Sequence, residues 1–465
     1  MSTFQLHDTI CALSTAPGTG AIAVIRLSGP AAFETIGKVF KPVGKNFEMA
    51  TVASHTIHLG VIGEGSDIVD EVLISCFRAP HSYTGEDVIE ISCHGSVFIQ
   101  QKILELMFSL GLRLARPGEF TFRAFMNRKF DLSQAEAVAD LIASQSGTSH
   151  DLAISQMRGG FSKKIGALRK SLIEFTSLIE LELDFSEEHM IFADRSDLNQ
   201  LLDHLEDELS QLINSFSLGN VIKNGIPVAI IGKPNVGKST LLNAILNEEK
   251  AIVSDIPGTT RDAIEDTIVI GGYSFRFIDT AGLRASEDRI ETIGISRTWE
   301  KIGEANIILY VFDATEQSFE DVMEAIEELK RPEDGKPFNL VLIGNKTDML
   351  DHLPKGFKDF VEYETIFVSG KRKENIHLIA EHLVEVVART KTTDTTIVSN
   401  TRHYEALQGA YHSIICVRDG LREGVSPDLL TVDIHKALYH LGEITGEITT
   451  DEILGAIFSR FCIGK

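Results

Sequence analysis

Gly232 to Ser239 read G-K-P-N-V-G-K-S, and Asn345 to Asp348 read N-K-T-D. The first run has the spacing of a phosphate-binding loop. Gly232 and Gly237 allow a tight turn whose N–H groups face inward, so Asn235, Val236, Gly237, Lys238, Ser239 and Thr240 would line the phosphates. Lys238 is a point charge for the β- and γ-phosphates. Ser239 offers a hydroxyl to Mg²⁺, at the positive end of the helix that starts there. The second run can read guanine. The Asp348 carboxylate can accept from N1–H and from the exocyclic amine, whereas adenine would turn a lone pair toward it. Asn345 and Lys346 complete this reader, and Ser369-Gly370-Lys371 supplies a last guanine contact through a backbone N–H.

Two further pieces stand between the motifs. D-T-A-G (Asp279, Thr280, Ala281, Gly282) can hold Mg²⁺ through water and offer an N–H to the γ-phosphate. P-G-T-T-R-D supplies Thr259 and Thr260, suited to a switch that closes on Mg²⁺ only while the γ-phosphate is present. Five elements in this order predict GTP binding. The position after D-x-x-G is Leu283, where many GTPases place a water-orienting Gln. Another group must orient water, and Glu287, Asp288 and Glu291 are equal candidates by position, with a solvated acidic loop as the plain alternative. The Asn235 amide could bind a monovalent cation beside the phosphates, or be an ordinary polar loop residue.

These motifs require a particular scaffold. I-P-V-A-I-I (226–231) is predicted to be a buried strand, S-T-L-L-N-A-I-L (239–246) a helix start, and 275–279, 340–344 and 365–368 further strands. Before them, 21–27, 72–77 and 88–92 read as strands and 96–110 as a helix, predicting an α+β or α/β domain. From about 132 to 216 the pattern is helical, with Leu198, Leu201, Leu202, Leu205, Leu209, Leu212 and Ile213 on one face. Helices resume at 402–418 and 427–441. The expected fold is multidomain: an α/β (α+β) N-terminal domain at 1–120, helical parts at 121–222 and 386–465, and a P-loop α/β GTPase domain at 223–385 inserted between them.

The chain has 465 residues and a net charge of −23, a poor surface for grasping nucleic acid unaided. If RNA is a substrate, a basic patch or partner must help to hold it. Cys11, Cys76, Cys93, Cys416 and Cys462 form no C-x-x-C pair and read as reduced thiols of a cytoplasmic protein. No basic leader or apolar stretch of about 18 residues predicts export or membrane insertion. The final F-C-I-G-K puts Cys462 at a prenylation-like position, but Lys465 and the lack of a second signal argue against a lipid. A tail of this kind is ordinarily frayed, while its thiol could act as a nucleophile or redox group. By pattern alone, Glu90 reads as a surface acid and Arg26 as a strand-edge charge.

The whole set resembles one family, the tRNA-modification GTPases called MnmE or TrmE. The resemblance covers essentially the full chain. It rests on P-G-x-G-A-I-A-V-I-R-L-S-G (17–29), T-G-E-D-V-I-E (84–90), R-P-G-E-F-T-x-R-A-F (116–125), D-L-x-Q-A-E-A (131–137), the nucleotide motifs and the terminal C-I-G-K. It implies a homodimer held by a tetrahydrofolate-binding N-terminal domain. It also implies a flavoprotein partner of the MnmG (GidA) type in a heterotetramer, and addition of a (carboxymethyl)aminomethyl group to C5 of the tRNA wobble uridine. The folate, 5,10-methylenetetrahydrofolate or 5-formyltetrahydrofolate as an analogue, would meet Arg26, Glu90, Lys129 and Lys465. The resemblance further implies K⁺ at Asn235, Ser254, Ile256 and Thr259, and Mg²⁺ at Ser239 and Thr260. Glu291 would position water, and Cys462 matches a thiol proposed as catalytic. A GTP-gated assembly factor, for instance for ribosomes, without one-carbon chemistry is the rival reading. A membrane-peripheral GTPase is disfavoured by the charge.

Overall fold

The computed structural model describes residues 7–44, 48–184, 195–248, 266–278, 305–329, 339–352, 363–389, 396–459 and 461–465. Their contacts divide the chain into two compact units. One comprises 1–142, 155–209 and 406–465, and the other 143–154 and 210–405.

The first unit opens with strands β1 (Ile10–Leu13) and β2 (Ile22–Ser28), helix α1 (Ala32–Val39), and strands β3 (Phe40–Pro42), β4 (Thr56–Glu64), β5 (Asp67–Phe77) and β6 (Val88–His94). Helix α2 (Val97–Ser109), strand β7 (Arg113–Leu114) and helix α3 (Glu119–Met126) follow. The strands form a seven-stranded sheet in the order β3-β4-β5-β6-β2-β1-β7. Neighbours run antiparallel except β1 with β7. Alternation along β2 buries Ala23, Ile25 and Leu27, which pack with Ile36, Ile91, Ile103 and Met107. The predicted strands are present: 21–27 as β2, shifted by one residue, and 72–77 and 88–92 as the longer β5 and β6.

The same unit holds α4 (Leu132–Ala143) up to its last residue, and all of α6 (Gly160–Asp184), α12 (Pro427–Thr445) and α13 (Asp451–Phe458). Helices α5 (Gly147–Met157), α7 (Arg195–Asn224) and α11 (Thr401–Glu423) contribute residues to both units. The predicted leucine stripe lies on α7. Leu198, Leu202, Leu205, Leu209 and Leu212 are buried, with Leu201 and Ile213 half-buried at its margins. Pro427 starts α12 behind Ser426, and Gly446 ends it in the left-handed region at φ 81°.

The second unit is built on β8 (Ile226–Ile231), α8 (Lys238–Glu248), β9 (Asp266–Ile270), β10 (Tyr273–Phe277), β11 (Ile307–Asp313), α9 (Phe319–Leu329), β12 (Asn339–Asn345), β13 (Glu364–Phe367) and α10 (Ile376–Ala388). Its sheet has the order β13-β12-β11-β8-β10-β9, parallel except for β9. Every residue of β8 and of β11 is buried, as a parallel strand covered on both faces requires. Val228, Leu309, Val311 and Ile343 pack with Leu241 and Leu383 on one face, while Ile231, Ile308 and Phe312 pack with Val322 and Ile326 on the other. This is the expected P-loop α/β domain, and its sequence lies between the helical segments. Among the described residues, no helix is long and apolar enough to cross a membrane.

Candidate functional site

The described nucleotide motifs, at 232–239, 345–348 and 369–371, fall at the carboxyl ends of the parallel strands β8, β12 and β13, where loops leave the sheet and ligands of open α/β sheets bind. Residues 232–237 connect β8 to α8. Gly232 has φ 148° and Gly237 φ 93°, and a Cβ on the first would run into the Val311 carbonyl oxygen. Asn235, exposed, is also left-handed at φ 61°. Val236 is buried and anchors the loop in the core. Lys238 Nζ folds back to donate to the carbonyls of Gly232 at 2.8 Å and Lys233 at 2.7 Å. Ser239 and Thr240 follow in the first turn of α8.

Asn345 ties the phosphate loop to the base-reading loops. Its amide nitrogen donates to the Val236 carbonyl at 2.8 Å, and its Oδ1 accepts from the Gly370 N–H at 3.0 Å. Gly237 needs to be glycine because a Cβ there would strike the Asn345 amide. The Gly370 N–H expected to face guanine is therefore bonded to Asn345. Ser369 Oγ donates to Asp348 Oδ1 at 2.7 Å and accepts from the Arg372 N–H at 3.1 Å. That Ser369 bond is the main reason the Asp348 carboxyl is held below its ordinary value, so Asp348 is an ionised acceptor at neutral pH. Lys371 is exposed on the same loop, which Ser369 and Glu374 close as a two-sided backbone bridge.

Ser254, Ile256, Thr259, Thr260, Asp279, Thr280, Ala281, Gly282, Leu283, Glu287, Asp288 and Glu291 lie outside the described residues. Of the metal ligands expected from the resemblance, only Asn235 and Ser239 are described. One residue of the site escaped the sequence reading. Asp313, at the end of β11, holds Lys346 Nζ at 2.5 Å. The single signal for it was an acid ending an otherwise apolar strand.

A second constellation lies in the first unit. Arg26 on β2 and Glu90 on β6 are register partners, with Arg26 Nε 2.9 Å and Nη2 2.8 Å from Glu90 Oε1. Both strands are interior to the sheet, so Arg26 is no strand-edge charge, and Glu90, 26% exposed, is no surface acid. The Arg26 guanidinium also lies over the rings of Tyr83 and Phe120, at 5.1 and 5.6 Å.

The tail is not frayed. Phe461, the first residue of the F-C-I-G-K tail, is buried among Phe122, Leu132, Leu454 and Phe458 and anchors it. Gly464 takes φ 99°, and a Cβ on it would run into Leu13. Its carbonyl accepts from Ser14 Oγ at 3.2 Å and Arg26 Nη1 at 3.5 Å. The carbonyls of Cys462 and Lys465 accept from the N–H groups of Gly118 and Phe120 at the start of α3. Burial, then the Arg26 cation, push the Lys465 ammonium below its ordinary value, against the pull of Glu90 and Cys462. Cys462 itself is exposed. Lys129, exposed, donates to the Pro80 carbonyl at 3.1 Å, next to Phe130, whose ring contacts Tyr83. The structure thus brings Arg26, Glu90 and Lys465 together, with Lys129 one ring contact further out.

Other charged residues of the same motifs brace the domain. Arg123 and Glu119 are fully buried. Arg123 pairs with Asp8, Glu86 and Glu119, while Arg113 binds Glu119 at 2.6 Å and Asp8 at 2.7 Å. Burial favours the neutral acids, but Arg113 and the other partners outweigh it and hold Asp8 and Glu119 below their ordinary values.

Comparison with known proteins covers the whole chain. The family domain described as "MnmE helical domain" matches residues 132–462, and that described as "GTP-binding protein TrmE N-terminus" matches 9–129. The tRNA modification GTPase MnmE of Flavobacterium psychrophilum is 51% identical over 463 residues, covering 99% of this chain and 99% of its own. That of Bacteroides fragilis is 50% identical over 467 residues, covering 99% and 100%. The FeoB G-domain from Methanococcus jannaschii is a distant structural match, 22% identical over 35% of this chain and 98% of its own, with a TM-score of 0.25 that carries no inference. Identity of about one residue in two over 99% of the chain, with family domains matched at 9–129 and 132–462, places this chain in the MnmE (TrmE) family of tRNA modification GTPases.

Proposed function

We propose that this chain is a GTP hydrolase acting in tRNA modification, with K⁺ as an activating ion and tetrahydrofolate as a one-carbon source. The observation that carries the nucleotide half is the Asn345 bridge. One amide joins the phosphate loop to the loop that orients Asp348, so triphosphate and guanine are read as one ligand. On binding, Lys238 exchanges its two loop carbonyls for phosphate oxygens, a charge-assisted contact in place of neutral ones. Ser239 would hold Mg²⁺, which neutralises phosphate charge. Asn235 would give K⁺ one oxygen ligand, its left-handed backbone placing it at the loop's exposed crest. The remaining proposed roles, Thr260 for Mg²⁺, Ser254, Ile256 and Thr259 for K⁺, and Glu291 for water, are carried over from the resemblance of these motifs.

The folate half is supported by the chemistry of the donor set. Pterin rings want paired donor and acceptor contacts, which a carboxylate such as Glu90 offers, and a glutamyl tail wants cations. Arg26 and Lys465 repel each other across this site, so an anionic group between them relieves both. The wobble-uridine product, a (carboxymethyl)aminomethyl group at C5, needs a nitrogen source and a redox partner. A flavoprotein of the MnmG type is the proposed partner, with this chain a cytoplasmic homodimer. Cys462, exposed beside Lys465, is the candidate nucleophile. The proposed domains are 1–120, 121–222, 223–385 and 386–465, the third inserted between the helical parts.

Titration of 5-formyltetrahydrofolate against the full chain separates this reading from a GTP-gated assembly factor. Micromolar binding is expected, and its absence would leave the assembly factor standing. GTP turnover should be much faster in KCl than in NaCl, and equal rates would remove the K⁺ role. Nucleoside analysis of tRNA from cells lacking the chain should show loss of the modified wobble uridine.

A further inference from the structure

Asp313 stands outside every sequence motif of the nucleotide site. It is the last residue of β11 and the register partner of Asn345 at the end of β12. Its side chain is 4% exposed. One carboxylate oxygen takes the Lys346 ammonium at 2.5 Å, and the other accepts from the Thr315 N–H at 3.0 Å and hydroxyl at 2.6 Å. Burial works against ionisation here, but Lys346 and Thr315 outweigh it and keep the acid below its ordinary value. Lys346 has φ 67°, a left-handed backbone that a non-glycine residue adopts only where its surroundings fix it. The residues that follow, Thr347 to Met349, form a single helical turn that carries Asp348. The start of that turn is set by Lys346, and the Lys346 side chain is anchored on β11 by Asp313.

We propose that Asp313 is a positioning residue for guanine selectivity, holding Lys346 so that the left-handed turn aims Asp348 at the base. This rests on the guanine reading of the site. The acid and the lysine act as a unit, because a buried carboxylate without its cation is strongly disfavoured. Phosphate binding lies on the other side of Asn345 and does not run through Asp313.

The test uses the full chain and three substrates: GTP, inosine triphosphate and ATP. Inosine lacks the exocyclic amine that Asp348 accepts, so the wild type should prefer GTP over it. Asp313→Asn should raise KM for GTP about tenfold, narrow the GTP-to-inosine preference by a similar factor, and leave kcat within about twofold. Lys346→Gln should do the same, and the double variant should be no worse than either single change, since both break one interaction. Partial recovery in Asp313→Glu would support the charge contact. A folded Asp313→Asn chain with wild-type selectivity, or losses that add in the double variant, would overturn the inference. If the Asn variant fails to fold, Lys346→Gln decides the matter, as it removes the charge from a side chain that is 32% exposed. A wild type that does not distinguish GTP from ATP would overturn the guanine reading itself, a different failure.

Discussion

The two constellations of this chain are assembled in opposite ways. In the nucleotide unit the described motifs sit in three short loops at the ends of the parallel strands β8, β12 and β13, and backbone groups tie those loops together. In the N-terminal sheet the chemistry is carried by side chains that meet across strands, Arg26 against Glu90, and is closed by residues hundreds of positions away. A site made of contiguous loops demands particular glycines and so writes itself into the sequence. A site made by long-range pairing leaves only isolated charges. The same contrast holds energetically. The first is joined by neutral hydrogen bonds around Asn345 and one ion pair, Asp313 to Lys346, while the second is braced by a network of two arginines and three acids built around the fully buried Arg123 and Glu119.

The sharpest way to break this comparison is to attack the brace. Arg123→Met removes the one cation common to Asp8, Glu86 and Glu119, leaving Arg113 to the first and last and neither arginine to Glu86. It should destabilise the N-terminal sheet by about 3–5 kcal/mol, read by urea unfolding followed by folate titration. Guanine-nucleotide affinity serves as the internal control, and an equal loss there would mean that the two constellations are not separately built. Asp348→Asn comes next. It should weaken GTP by about a hundredfold or more while improving xanthosine triphosphate, whose base presents an acceptor where guanine presents an amine. Unchanged GTP affinity in a competition assay would undo the guanine assignment.

Gly464→Ala is smaller. It forces a Cβ against Leu13 in a left-handed backbone and should detach the tail at a cost of about 1–3 kcal/mol, weakening folate with Glu90 and Arg26 untouched. If folate affinity survives, the tail does not belong to that constellation. The mildest test is acid. Asp8 and Glu119 are held below their ordinary values, so their contribution is fully present above the unfolded carboxylate range of about 4 and is lost as the pH falls through the lower folded values. The stability gap between wild type and Glu119→Gln should therefore close on acidification below about pH 4.

Legibility followed the same divide. Gly232, Gly237, Asn345 and Asp348 were readable because fixed backbone geometry requires their types at those spacings. The apolar stripe of α7 was readable from its period. Asp313 was not, since nothing in an apolar strand marks its last acid as the anchor of a lysine 33 positions on. Arg26 and Glu90 resembled stray surface charges because strand register is set by partners that local pattern does not name. The tail was misjudged for a related reason: its order comes from Phe461 in a distant aromatic cluster and from the start of α3.

The Ser14 to Gly464 contact has a consequence in time. The partners are separated by 450 positions, so the strand that presents Ser14 leaves the ribosome long before the residue that closes over it. At typical rates of synthesis that interval is roughly 20–90 s. Throughout it the first sheet can pair its strands but must wait for the Gly464 carbonyl that Ser14 and Arg26 bind, and the phosphate loop is translated and free to fold in the meantime. Translation thus delivers the whole nucleotide unit before it delivers the residue that closes over the Arg26–Glu90 pair.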